Sequence, residues 1–464
     1  MAGTAVMTRE EGASVVAVMA AMALVVLDAG LVNVALPVIA RALPAAPAHA
    51  ILAVSVYQTA LVIGLLPSAH IAERLGYKRV FLAGLGVFSA ASILCGFAPT
   101  LELLVLARAL QGLGGAGVMA LGIALLRFAL GSERMGRAIG WNALNVALCS
   151  AAGPIVGALI LALAPWPWLF FAKLPLIAVA LAASLALPPV PPDRGTIDYM
   201  GIVLHAAVAG LFLGAAGLAT AGSGWAILPA CLSAGFALVL IHREQMRDAP
   251  LWPIDLLAQR AFRISIIASV CCFVAQSVGV LALPFYLQLG LGYGPVGAGL
   301  VMTCWPLTVA VTSSVASLLA ERFGSARLCV VGGVMLSAGL LLTALWPVAG
   351  SIVPLAMGAS MSGLGFGLFQ VPNNRTMLLS APPERSGAAG GMQGSARLAG
   401  QTVGALVTGL LLAGAPAAVA PRIGLALGAI FAIAAALVSA AEISPPARAS
   451  ADGSNGNVSM GEIG

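Results

Sequence analysis

One acidic residue stands inside the apolar run ALVVLDAGLVNVALP, Ala23 to Pro37, and no other acid of the chain lies as deep within such a run. An aspartate at the centre of a membrane helix costs roughly 2.5 to 3.5 kcal/mol on translocon scales, so Asp28 needs a physical reason to be there. Apolar surroundings favour the protonated carboxyl group, whereas an approaching cation favours the carboxylate. A group balanced between those states can exchange a proton for a cationic substrate; the alternative is a structural polar residue bonded to a neighbouring helix. Arg108 and Gln111 are three residues apart and share a helix face, bringing a fixed positive charge and an amide to another apolar run.

Other chemistries lack candidates. The histidines His49, His70, His205 and His242 are far apart, and the seven cysteines form no CxxC pair, so neither a metal site nor a disulfide framework is indicated. No GxxxxGK[ST] loop occurs, and GLGGAG after Gln111 follows no strand, so nucleotide-driven chemistry is unsupported and the glycines read as close helix contacts. No cluster of His, Asp, Glu or Ser at one depth suggests an embedded enzyme.

The elements that position Asp28 and Arg108 follow from composition. Hydrophobic residues make up 61% of the 464 and charged residues 8%, with a mean hydropathy of +1.05, far from a soluble domain. Apolar runs predict fourteen membrane helices near 14–36, 50–71, 79–98, 101–127, 136–163, 166–187, 199–220, 225–242, 262–287, 296–320, 327–346, 351–374, 386–413 and 421–441. The gaps after even-numbered spans hold Arg74, Lys78 and Arg79, then Arg127, Arg134 and Arg137, Arg194, Arg243 to Arg263, Arg322 and Arg327, and Arg375 and Arg385; the other gaps hold only Arg41 and Arg422. The positive-inside rule therefore puts both termini in the cytoplasm. It also accounts for the net charge of +6 without a nucleic-acid partner.

An internal repeat organises the chain. AERLGYKR, Ala72 to Arg79, returns as AERFGSAR, Ala320 to Arg327, 248 residues later, and the hydropathy pattern shares the offset. The reading is a cytoplasmic N-terminus at 1–13, a six-helix bundle at 14–190, an inserted two-helix hairpin with flanking loops at 191–260, a second six-helix bundle in parallel repeat at 261–441, and a disordered cytoplasmic tail at 442–464. Counting about 1.5 Å per residue from the outer ends of spans 1 and 4 puts Asp28 and Arg108 both about 10 to 12 Å deep. Glu73, Arg74, Gly76, Lys78 and Arg79, repeated as Glu321, Arg322 and Gly324, form cytoplasmic clusters able to gate the protein by pairing with carbonyls and carboxylates. Lys173 is expected to snorkel to the outer headgroups or to make a specialised contact.

This layout, with the loop AHIAERLGYKR, the fourth-span motif RALQGLGGA, GPIVGA at Gly153 to Ala158 and LDAGLVNVALP, resembles the major facilitator superfamily. Within it the chain resembles the fourteen-span drug:proton antiporters of the EmrB/QacA group. Ala69 and Glu73 depart from the usual Gly and Asp of the loop motif, and Lys173 stands where that group usually carries Asn. The resemblance implies an all-α membrane protein of the major facilitator fold, with spans 1 and 4 lining a central cavity. It makes Gly153, Pro154 and Gly157 an antiporter motif that bends or flexes a cavity mouth, and Arg397 a counterpart of an arginine common in the group, binding an anionic moiety or bracing the cytoplasmic gate. It implies a proton-coupled exporter of drug-like amphipathic molecules, monocations among them, in the bacterial inner membrane. Such a protein needs no cofactor beyond the proton motive force and works as a monomer, alone or with accessory export proteins. A dedicated exporter of one metabolite is the second reading, and a non-transporting receptor or scaffold a more distant third.

Overall fold

The structure, a computed structural model, describes residues 8–130, 134–189, 199–220, 223–245, 254–346, 351–381, 386–416 and 419–443. The tail beyond Ile443 and the loop residues Arg194, Arg247 and Arg385 lie outside these. All the regular elements described are helices: α1 (Arg9–Ala42), α2 (Pro47–Ala50), α3 (Leu52–Leu75), α4 (Tyr77–Gly96), α5 (Leu101–Leu130), α6 (Met135–Leu163), α7 (Trp168–Phe171), α8 (Leu174–Ser184), α9 (Tyr199–Thr220), α10 (Ile227–Gln245), α11 (Arg260–Phe285), α12 (Pro295–Phe323), α13 (Ser325–Leu345), α14 (Ile352–Ser380), α15 (Ser386–Gly414) and α16 (Ala420–Ile443). Twelve stretches among the described residues are long and apolar enough to cross a membrane. Beside these twelve, Trp168–Ser184 is a shorter apolar stretch, and α9, 22 residues long, carries one over Met200–Phe212. The first is divided by a turn at Ala172 and Lys173, where Pro175 opens α8.

Helix α1 starts at Arg9, ahead of the apolar run, because a capping box extends it: Thr8 Oγ1 accepts from the Glu11 amide at 3.2 Å and Glu11 Oε2 from the Thr8 amide at 2.9 Å. Arg134, at the foot of α6, donates to the same Glu11 oxygen at 2.9 Å.

The sequence repeat reappears as repeated packing. Gly76 and Gly324 end α3 and α12 with φ of 94° and 86°, a backbone that a side chain would strain. A Cβ on Gly84 would stand 3.1 Å from the Gly117 Cα, and one on Gly332 would stand 2.6 Å from the Gly365 carbonyl oxygen, the same α4–α5 crossing 248 residues on, as α13–α14. Without a hydrophobic force between helices in lipid, such close backbone approach is what holds them together.

Packing between the halves is concentrated at the outer end. Helix α6 lies between α1 and α12. One buried cluster joins Leu36, Ile39 and Leu104 to Leu281, Phe285, Ala405 and Leu412, and a second joins Val34 and Ala158 to Val301 and Met302. A π turn at Tyr286–Gly290 ends α11 and lets Gln288 Nε2 donate to the Val34 carbonyl at 2.8 Å. Toward the cytoplasmic ends, the buried clusters described contain residues of one half only, Ala17 to Leu187 or Leu256 to Met392. Helices α9 and α10 pack on each other, and α9 rests against α3 and α15.

Candidate functional site

Asp28 sits midway along α1 with no exposed surface, and both its carboxylate oxygens are occupied. Oδ2 accepts from Arg108 Nη1 of α5. Oδ1 accepts from Lys173 Nζ, at the break between α7 and α8, and from Gln111 Nε2 at 3.1 Å. Gln111 is the hub of the amide network: its Oε1 accepts from Arg108 Nη1 at 2.6 Å and its Nε2 donates to Ser92 Oγ of α4 at 2.7 Å. The three-residue spacing of Arg108 and Gln111 lets both reach one carboxylate.

Second partners fix the guanidinium. Arg108 Nε donates to the Ala53 carbonyl of α3 at 3.0 Å, and its carbon lies 4.0 Å from the centre of the Tyr57 ring, whose hydroxyl donates to the Val25 carbonyl at 3.3 Å. Nη2 of Arg108 is buried without a hydrogen-bond partner among the described residues and is left to this ring contact. Lys173 Nζ lies 4.8 Å from the Phe170 ring centre and 5.6 Å from that of Phe88.

Lys173 therefore does not snorkel. Its side chain retains 4% of its exposure. Leaving span 6 at that depth, the ammonium meets the free oxygen of the Asp28 carboxylate sooner than water, and a buried charge gains most from a partner. With every group ionised the cluster holds one anion and two cations, a net charge of +1 sealed inside the N-terminal bundle.

Gly153, Pro154 and Gly157 press against this site. A Cβ on Gly153 would come within 2.9 Å of the Gly30 Cα and 3.3 Å of the Leu27 carbonyl, and one on Gly157 within 2.8 Å of Val34 Cγ1. Pro154, within a helix that continues past it, faces α12, where a Cβ on Gly299 would meet the Pro154 carbonyl at 2.8 Å and Ala158 Cβ at 2.3 Å. The motif thus connects the helix carrying Asp28 to the seam between the halves.

Among the described residues, no hydrogen bond or ion pair joins the loop clusters across the halves. Lys78 Nζ donates to the Leu185 and Leu187 carbonyls, at 2.7 and 2.8 Å, tying the start of α4 to the end of α8. Glu321 pairs with Arg375 of α14 at 3.4 Å, and Arg322 lies over the Phe323 ring at 5.4 Å. Glu73 and Arg79 are exposed and Arg74 is half-buried at the end of the first loop. Arg397 stands apart from Asp28, on α15. It is exposed and has no ion-pair partner among the described residues. No group of three or more His, Cys, Asp or Glu able to hold a metal occurs among the described residues.

Two parallel bundles with a buried charge cluster in the first and a packed seam between them are the architecture of a membrane transporter. The family model of the Major Facilitator Superfamily matches residues 18–241 and 264–459, and the chain belongs to that superfamily. It is 38% identical over 438 residues to the Uncharacterized transporter YebQ of Escherichia coli (strain K12), covering 93% of this chain and 96% of that protein. It is 30% identical over 420 residues to the Tetracenomycin C resistance and export protein of Streptomyces glaucescens, covering 86% and 76%. A solved POT family transporter in complex with 5-aminolevulinic acid shares the fold, with a TM-score of 0.71 at 15% identity over 95% of this chain and 97% of that one. The protein is an integral, multi-pass membrane transporter and not an enzyme.

Proposed function

We propose that this transporter is a proton-coupled exporter of drug-like amphipathic small molecules, powered by the proton motive force without a cofactor. The observation that carries the reading is the buried cluster of Asp28, Arg108, Gln111 and Lys173. Ionisable groups inside a membrane bundle are costly and mark proton or ion pathways, and one proton entering down 100 mV supplies about 2.3 kcal/mol for uphill export. Gly153, Pro154 and Gly157 supply the mechanical link, since a change in the charge of the cluster around Asp28 is one helix contact away from the seam that alternating access must open. The resistance and export role of the Streptomyces glaucescens relative supports the cargo class. Asp28 already faces two cations, so in this conformation a cationic cargo has no free acid to meet, and the cargo reading rests on the relative and not on charge matching.

The test is proton movement in inverted vesicles with an acidified lumen, challenged with lipophilic cations and neutral amphipaths. Substrate-induced loss of the gradient in the parent protein and not in Asp28→Asn supports the proposal. Equal responses in both remove Asp28 from coupling. No response to any compound, with a gradient-dependent flux of a single metabolite, turns the assignment to a dedicated metabolite exporter.

A further inference from the structure

We propose that Lys173, and not Asp28, holds the proton that is exchanged during transport. The inference rests on the proton-coupled reading above and names the group within that site.

The charge states of the cluster decide between the candidates. Arginine does not deprotonate in proteins, whereas a buried lysine readily does. Protonating Asp28 while both bases stay charged leaves two buried cations and no counter-ion, a net charge of +2. Removing the proton from Lys173 leaves the Asp28 carboxylate and the Arg108 guanidinium as a neutral pair with their hydrogen bonds intact. Of the two single-proton changes available to the fully ionised cluster, only the second lowers its net charge, and low-dielectric surroundings penalise net charge most.

Two further observations point the same way. A proton holder has to be reached from solvent, and Lys173 is the least enclosed member of the cluster, 4% exposed against 0% for Asp28, Arg108 and Gln111. It also stands in the turn between α7 and α8, capping the N-terminus of α8, where the helix dipole disfavours a positive charge. The other titratable groups beside the cluster are the Cys95 thiol of α4, which donates to Gln111 Oε1 at 3.8 Å, and the Tyr57 phenol of α3, under Arg108. Neither adds charge in its ordinary protonated form.

In the step this defines, an ammonium N–H bond breaks and the proton passes to water on the cytoplasmic side, leaving a neutral amine on Lys173. Asp28 stays a carboxylate and Arg108 a guanidinium throughout. Reloading from the outer side restores the ammonium and the net charge of +1, so the cycle exchanges one proton and no other atom.

The chain contains only two lysines, Lys78 and Lys173, which makes the test direct. Full-length protein carrying isotope-labelled lysine gives two side-chain resonances, assigned with Lys78→Arg, whose site is remote from the cluster. Infrared difference spectra of the same protein, referenced to Asp28→Asn, report the Asp28 carboxyl group. The expected result on varying pH is a change of protonation at Lys173 with Asp28 remaining a carboxylate. A protonated Asp28 appearing while Lys173 keeps its ammonium signal overturns this inference and leaves the proton-coupled reading standing. No change at either group across the pH range in which vesicles hold a gradient overturns both. In vesicles, Lys173→Arg keeps the charge but cannot release it, and abolishes substrate-induced proton movement; retention of that movement sinks the inference even where the parent couples.

Discussion

Charge arithmetic at Asp28 makes unequal demands on its partners, and the inequality is measurable. Replacing Asp28 with Asn removes the single anion and leaves Arg108 and Lys173 facing each other. Breaking a buried pair in this way costs about 3 to 5 kcal/mol, and two like charges about 5 Å apart repel by about 3 kcal/mol more at an effective dielectric of about 20. If Lys173 sheds its proton the repulsion vanishes, but Arg108 cannot follow, so the loss stays near 3 to 5 kcal/mol. Replacing Lys173 with Met removes one of two cations and restores neutrality. Methionine also keeps the unbranched chain between the Phe88 and Phe170 rings and adds sulfur contacts to them. Its expected effect lies within about 1 kcal/mol of the parent, because a buried ion replaced by a well-packed apolar group is often neutral or stabilising. Reversible unfolding of the purified protein in mixed detergent micelles, titrated with a denaturing detergent, gives both values. A loss in Lys173→Met as large as that in Asp28→Asn would refute the reasoning, since it would mean that both cations are required to balance one carboxylate.

The remaining expectations concern the frame around the site. Gly153→Ala places a methyl against the Gly30 backbone at 2.9 Å and pushes α1 off α6, with an expected loss of about 1 to 3 kcal/mol in the same unfolding assay. Gly299→Leu drives a side chain into Pro154 and Ala158 and loosens the outer seam; in a cysteine-free background, a cysteine at Ala405 should then label faster with an impermeant maleimide added outside. Gly76→Ala and Gly324→Ala, both at positive φ, should each cost about 1 to 3 kcal/mol, and similar losses at the two sites are the outcome that repeated loop geometry demands.

Much of this protein is written along the chain. Composition and the length of the apolar runs dictate membrane helices, since only helices and closed barrels satisfy the backbone in lipid. The constant offset of 248 residues dictates two equivalent halves, and it recurs in the structure as the paired glycines Gly84 with Gly117 and Gly332 with Gly365. Counting residues from the helix ends puts Asp28 and Arg108 at one depth, because each helical residue advances about 1.5 Å along a nearly fixed axis. The same count from Trp166 puts Lys173 about 10 Å deep as well, so a signal for the third charge was present in the chain.

Azimuth is what the chain leaves open. Depth is a coordinate of one helix alone, but the direction in which a side chain points depends on how that helix is rotated against its neighbours. These helices are apolar around most of their circumference, so no amphipathic stripe records their facing. Only packing therefore decided that α8 turns Lys173 toward Asp28, that Gln111 joins Arg108 to Ser92, that the Ala53 carbonyl and the Tyr57 ring hold the guanidinium, and that the halves close at Val34, Ala158 and Leu281 on the outer side. The sequence by itself determined which charges enter the membrane and how deep they lie, whereas the tertiary structure decided which of them share one carboxylate, because that choice is made by contacts between helices far apart in the chain.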